Sequence, residues 1–581
     1  MEIKVFKNLL WAIKNIVSFD VKYIIIAIFT MVIGGVSPAI YTILTQKIIN
    51  NLQLSNKIIF FYLLLYVLLE FFESFFNNFI EYYKMKFNLS FNLMIKEKVV
   101  EKISNLKLKD FENSEIYDVI NRAKNESEGK IISYIENFGI IISNIISFIS
   151  FVSIILFFKF WIVIIILIIP CVKYIITKKL NILSFNIITE RTNKERKAWY
   201  FQYLLTYGDF FKEIKLYNLF PYFIKKYKKY NEEFNLQDVS IARKKMLFFG
   251  GITLIEVIID GFIFYKIISY GFLGLILIGN VLMYMNSITK SKMKLTEILQ
   301  SFAFLNKESL FMGQLIYFFD LEEVNEEELL EIEKIEKIEC INLSYKYKKN
   351  KEYTLKNINI KVEKNKNILV VGRNGSGKTT LIKILLGLYD DYEGHVYIDG
   401  IELKDIKKSS YMKYVSSLFQ DFIKYEGTFR ENISYGDLEN KTNDLKLYNV
   451  LEKFDLLSLV NRTEKKLDSQ IGYWFDNGKQ ISLGEWQKIA ISRAFLKKSN
   501  VIILDEPNSA LDSISDYRLN LMYKDILKNK IGIIVIHKFK NIVNDMDRIL
   551  VLNNGTIEEE GTHKDLVIKN GLYSMLYNLQ K

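Results

Sequence analysis

The chain has 581 residues, too many for one ordinary domain, and it is 50% hydrophobic and 14% aromatic with only four prolines; this excludes a disordered or repeat protein. Its net charge of +12 does not carry a nucleic-acid reading, because the lysines and arginines crowd the flanks of apolar segments, as they do in the cytoplasmic loops of membrane proteins. Two isolated cysteines, Cys171 and Cys340, exclude a disulfide framework and a zinc site.

In chain order, the first element is MEIKVFKNLLWAIKNIV. Lysines run through it and no small-residue cleavage site follows, so it reads as an amphipathic interfacial helix rather than a signal peptide. Six stretches then qualify as spanning helices, at roughly 20 apolar residues per crossing. They run about Tyr23 to Leu44, Ile58 to Ile80, Ile131 to Phe157, Trp161 to Ile176, Met246 to Tyr265 and Ile268 to Ile288. The connections from Lys84 to Lys130 and from Lys178 to Lys245 are long and lysine-rich; the others are short. The positive-inside bias therefore puts the long connections and both termini in the cytoplasm. A six-helix transmembrane bundle with long cytoplasmic extensions is expected. Two acidic pairs interrupt it, Glu70 with Glu73 and Glu256 with Asp260, each on one helix face. They are read either as an acidic cavity wall that favours cationic cargo or as groups that hold the bundle together.

Composition changes near Asp320. The acidic stretch LEEVNEEELLEIEKIEK holds the expected boundary between residues 1–325 and 326–581. Beyond it, short β-rich runs alternate with helical ones, as in an α/β domain with a largely parallel sheet. VVGRNGSGKTTL, from Val370 to Leu381, is the phosphate-loop pattern in its strand-loop-helix setting. In it, Gly372, Arg373, Asn374, Gly375, Ser376 and Gly377 turn backbone N–H groups onto phosphate oxygens. Lys378 reaches the β- and γ-phosphates, Thr379 meets Mg²⁺, and Thr380 follows on the helix. Val501 to Leu504 form a buried-strand run ending in Asp505 and Glu506. The first carboxylate is suited to the Mg²⁺ water shell and the second to an attacking water. In ISLGEWQKIAISRAF, Ser482 and Glu485 form a capping box, and Gly484 beside them makes the same helix start an anion site. The residues alone leave those two readings open.

With these stations in place, the second half resembles the nucleotide-binding domain of ATP-binding cassette transporters, an α/β P-loop NTPase. The first half resembles the membrane part of the exporter branch. The resemblance implies that SLGEW is the family signature, usually LSGGQ, which contacts ATP held by the opposite subunit through Ser482, Gly484 and Glu485. Ile481, Leu483 and Glu485 depart from the usual residues. It further implies that Tyr345 stacks on adenine, with Tyr347 as the competing candidate, and that Gln420 contacts Mg²⁺ and the membrane domain. Ser509, Ala510, Leu511 and Asp512 match the loop crossing the dimer interface, and His537 matches the switch histidine. Two stretches, Asp110 to Ala123 and Ala198 to Tyr217, resemble the cytoplasmic loops that dock on the nucleotide domains.

The expected protein is an ATP-driven half-size exporter in the cell membrane. It works by alternating access with a second half-transporter subunit, using ATP and Mg²⁺. Lys378, Glu506 and His537 are its catalytic residues, and Tyr345, the loop Gly372 to Thr380, Gln420 and the signature bind nucleotide. Thr379, Gln420 and Asp505 hold the metal. The loops look most like those of peptide and drug exporters, so small peptide or amphipathic cargo is expected. A lipid flippase or multidrug pump, or an ATP-gated regulator without cargo, are the alternatives. No leader-cleaving protease domain is expected, since the chain enters its first membrane segment at once and has no early cysteine.

Overall fold

The computed structural model describes residues 2–126, 129–323, 329–348, 350–508 and 511–580. The chain divides into two units, Met1–Asn105 with Ser114–Glu322, and Leu106–Asn113 with Glu323–Lys581.

The first unit is helical. It comprises α1 (Glu2–Phe19), α2 (Val21–Gln53), α3 (Ile59–Ser104), then, after the short α4 (Leu108–Glu112) that belongs to the other unit, α5 (Ser114–Glu126), α6 (Lys130–Leu156), α7 (Trp161–Thr206), α8 (Gly208–Leu216), α9 (Phe220–Phe272) and α10 (Ile278–Phe319). Among the described residues, five helices are long and apolar enough to cross a membrane: α2, α3, α6, the Trp161–Ile188 part of α7, and α9. At about 1.5 Å per residue, α3, α7 and α9 each run well past a hydrocarbon layer of about 30 Å. The stretch expected as the sixth span, Ile268 to Ile288, is not one helix. It breaks between Phe272 and Ile278, where Gly274 takes φ +71°, and the chain resumes as α10. Apolarity runs across the turn and Lys290, Lys292 and Lys294 interrupt α10 itself, so by composition the end of one helix and the start of the next read as one span.

Close packing in this unit rests on small residues. A Cβ added at Gly35 of α2 would lie 2.7 Å from the Ile146 Cβ of α6. At the same place the Ser147 hydroxyl donates to the Gly35 carbonyl at 2.7 Å, the small-residue contact that lets membrane helices approach closely. Of the two readings of the acidic pairs, the geometry at α9 fits the one in which they hold the bundle together. Glu256 accepts from Lys173 of α7 at 2.5 Å, and Lys292 of α10, 6% exposed, pairs with both Glu256 and Asp260. These carboxylates tie three helices together. Glu73 accepts from Ser37 at 3.0 Å and Tyr41 at 2.7 Å, while Glu70 stays exposed.

The second unit holds, among its described residues, β1 (Lys337–Tyr345), β2 (Leu355–Glu363), β3 (Asn367–Gly372), α11 (Lys378–Leu385), β4 (Glu393–Ile398), β5 (Ile401–Glu402), β6 (Val415–Leu418), β7 (Gly427–Thr428), β8 (Gln470–Ile471), β9 (Val501–Asp505), β10 (Ile531–Val535), β11 (Arg548–Asn553) and β12 (Thr556–Gly561). The main sheet has the order β12-β11-β3-β10-β9-β6. It is parallel except where β12 joins β11. Its central strands are apolar on both faces: Leu369 and Val371 enter one core, and Ile368 and Val370 the other, as expected of a sheet covered on both sides. A second, antiparallel sheet, β2-β1-β4-β5, was not foreseen.

The stretch from Asp110 to Ala123, expected to resemble a cytoplasmic docking loop, is made of two short helices. Asn113 leaves the helical region with ψ 112°, so α4 and α5 fall in different units. Within the second unit, Leu108 packs on the core and Glu112 accepts from Tyr389 at 2.7 Å and Lys383 at 3.3 Å. Lys107 pairs with Asp390 at 2.7 Å. In the first unit, the stretch from Ala198 to Tyr217 is likewise two helices, broken at Tyr207.

Candidate functional site

Four neighbouring strands of the main sheet end side by side and carry the chemistry. The register pairs Val535 of β10 with Val370 of β3 on one side and Asp505 of β9 on the other, and Leu418 of β6 with Leu504 of β9. The glycine loop, His537, the acidic pair and Gln420 therefore leave the same edge of the sheet, the carboxyl ends where ligands of such folds bind.

The loop needs its glycines. Gly375 and Gly377 sit at φ +78° and +102°, where a side chain is strained. A Cβ at Gly377 would also meet the Leu355 side chain at 2.7 Å and the Thr354 carbonyl at 2.9 Å. Lys378 curls back over the loop and donates to the carbonyls of Gly372 and Arg373, both at 3.0 Å. Burial pulls its pKa below the usual lysine range, opposed by Glu506 and Asp505. Ser376 is 3% exposed and its hydroxyl lacks a partner among the described residues.

Asp505 is 1% exposed. Its Oδ2 accepts from Thr379 at 3.1 Å, and its Oδ1 lacks a partner among the described residues. Burial pushes its pKa up; the Thr379 bond pulls the other way, and Glu506 adds to the rise. An unpartnered buried carboxylate oxygen beside a hydroxyl is a donor set that fits a hard, oxygen-seeking divalent cation.

Glu506 stands in the left-handed region at φ +50°, an uncommon backbone for a non-glycine residue and one found at functional sites. Its N–H is held by the Val535 carbonyl at 2.8 Å. Its carboxylate meets His537 Nε2 at 2.8 Å and accepts from Gln420 Nε2 at 2.9 Å. Gln487 donates to the Glu506 carbonyl at 3.3 Å; this buried glutamine was missed, because it lies inside a helix and belongs to no phosphate motif.

The structure does not gather every expected residue. Ser482 caps the helix Leu483–Leu496, its N–H held by Glu485 at 2.7 Å. No hydrogen bond joins Ser482, Gly484 or Glu485 to the glycine loop among the described residues. Leu483 is exposed. Tyr345 is 4% exposed and stacks on Tyr389, with ring centroids 5.0 Å apart. In this structure its ring is packed as a core residue, with Tyr389 on one face. Tyr347 is the half-buried one, and its hydroxyl lies 3.1 Å from that of Thr380. Ser509 and Ala510 lie outside the described residues; Asp512 caps the helix that follows. Also missed was the loop of Tyr473, Trp474 and Phe475, each more than half exposed, with Glu426 holding the first two N–H groups. The flanking Gly472 and Gly478 mark it as a loop.

The ABC transporter family profile matches residues 355–509. The chain is 36% identical over 481 residues to the subtilin transport ATP-binding protein SpaT of Bacillus subtilis, covering 82% of this chain and 78% of that protein. The chain belongs to the ATP-binding cassette transporters. A further relative in the family is the nisin transport ATP-binding protein NisT of Lactococcus lactis subsp. lactis, 34% identical over 83% of this chain and 80% of that protein. An ATP-dependent lipid A-core flippase of Hahella chejuensis is 32% identical over 42% of this chain and 41% of that protein. The fold is that of a solved bacterial Atm1-family ABC exporter with ATP bound, at TM-score 0.77 and 18% identity over 96% of this chain and 98% of that one. The transporter thus joins a helical membrane region to an ATP-binding domain of the family, an ATPase.

Proposed function

We propose that this transporter is a half-size, ATP-driven exporter of small peptides that works as a dimer. It divides into a membrane domain, residues 1–325, with six crossings of which α10 supplies the last, and a nucleotide domain, residues 326–581. The observation that carries the peptide reading is the reach of the likeness. The 481 residues aligned to SpaT are too many for residues 326–581 and extend far into the membrane half, whereas the 244 aligned to the flippase are not. Lysine-rich connections put both termini and the nucleotide domain in the cytoplasm.

ATP sits between the glycine loop of one subunit and Ser482, Gly484 and Glu485 of the other. The backbone from Gly372 to Thr380 and the ammonium of Lys378 hold phosphate charge, and Tyr347 faces adenine. Thr379, Gln420 and Asp505 would hold Mg²⁺, which supplies charge neutralisation on the phosphates. Glu506 orients and deprotonates the attacking water, and His537 stabilises the charge that develops. Loss of the γ-phosphate removes the contact between subunits and opens the dimer, which drives alternating access.

Purified transporter in proteoliposomes tests this reading. ATP hydrolysis stimulated by a small-peptide pool and not by added lipid supports it; stimulation by lipid alone favours the flippase reading.

A further inference from the structure

The charges at membrane depth balance at every lysine of this region of α10 but one. Lys292 pairs with Asp260 and shares Glu256 with Lys173. Lys294 pairs with Glu297 at 2.8 Å and donates to Asn144 at 3.0 Å. Lys290 has no carboxylate within ion-pair distance among the described residues. Its ammonium lies over the Phe151 ring of α6, 5.6 Å from the centroid. One turn earlier on α10, the Ser287 hydroxyl is fully buried and lacks a partner among the described residues.

Depth makes this unusual. Counting from the break between Phe272 and Ile278, Lys290 on α10 and Asp260 on α9 each lie about 18 Å along their helices, inside a hydrocarbon layer of about 30 Å. An ionised side chain there is costly and marks a transport path or a charged partner. The neighbouring lysines have resident partners. Lys290 has an aromatic face, which holds a cation weakly and releases it to a stronger anion.

We propose that Lys290 receives a carboxylate of the peptide cargo, with Phe151 lining its apolar flank, so that the transporter selects peptides bearing a free carboxylate next to an apolar residue. This rests on the peptide-export reading and reverses the sign of cargo that Glu256 and Asp260 suggested. The carboxylate would exchange places with the Phe151 ring at the ammonium and leave it again when the helices rearrange.

The test uses the full-length protein in phosphatidylcholine vesicles and labelled apolar peptides made in pairs, free C-terminal acid against carboxamide. ATP-dependent uptake by the unmodified protein is expected to favour the acid by about fivefold. Lys290→Gln brings the ratio to near one, and Lys290→Arg keeps it. Equal uptake of both members by the unmodified protein, or a Lys290→Gln variant that still discriminates, overturns the assignment of Lys290 and leaves the export reading standing. Uptake of neither member by protein that hydrolyses ATP overturns both.

Discussion

His537 Nε2 stands 2.8 Å from Glu506 Oε1, and Gln420 occupies the other carboxylate oxygen at 2.9 Å. The two partners come from the ends of strands on either side of β9, so the sheet itself aims the carboxylate. His537→Ala should therefore lower the hydrolysis rate by about 10² to 10³, the loss expected when one preorganised polar partner is removed. ATP affinity should stay within a few-fold. Single-turnover hydrolysis with a parallel nucleotide-binding titration checks this, and a large loss of affinity would place His537 in binding instead.

The two tyrosines of the nucleotide domain should separate cleanly. Tyr347→Ala should weaken ATP binding by about threefold to tenfold, the worth of one aromatic stack, with little change in melting temperature. Tyr345→Ala removes a buried ring that stacks on Tyr389 and should cost about 3–5 kcal/mol of stability. Fluorescent nucleotide titration and thermal unfolding read the two effects, and the reverse pattern would return Tyr345 to the adenine site.

In the membrane half, Lys292→Met leaves Glu256 and Asp260 short of one cation and should destabilise the protein by about 3–5 kcal/mol. Pairing it with Asp260→Asn should restore part of that loss, because the stranded charge is removed as well. Melting curves of the single and double variants in detergent decide it. Strictly additive losses would mean that the residues do not act as a pair.

Glu112 is bound by Tyr389 and Lys383 on the core that carries α11. Glu112→Ala should leave ATP affinity unchanged while reducing the rise in hydrolysis that peptide cargo produces. Parallel titrations with ATP alone and with a peptide pool test this; an unaltered response to peptide would make the contact purely structural.

The chemistry at the strand ends was legible because it is local. Val370 to Leu381 and Val501 to Glu506 each carry a strand, a turn and a reactive group within a dozen residues, so short-range pattern suffices. The choice between Tyr345 and Tyr347 was not, since it turns on whether Tyr389, more than 40 positions away, covers the ring. The same holds for Glu256 and Asp260. Their helix spacing shows that they share a face but is blind to Lys173 and Lys292 on other helices. The break at Phe272 escaped because an apolar turn and an apolar helix have the same composition. The antiparallel sheet escaped because its strands are paired across the chain, as β1 is with β4.

In the proposed function, ATP hydrolysis at Glu506 moves peptide across the membrane. Its most direct test is uptake of a labelled small-peptide pool into inside-out vesicles holding either the unmodified protein or Glu506→Gln, with and without ATP. Accumulation is expected to require both ATP and Glu506, while the variant still binds ATP and stays as a closed dimer. Accumulation by the Glu506→Gln protein at the unmodified rate would contradict it.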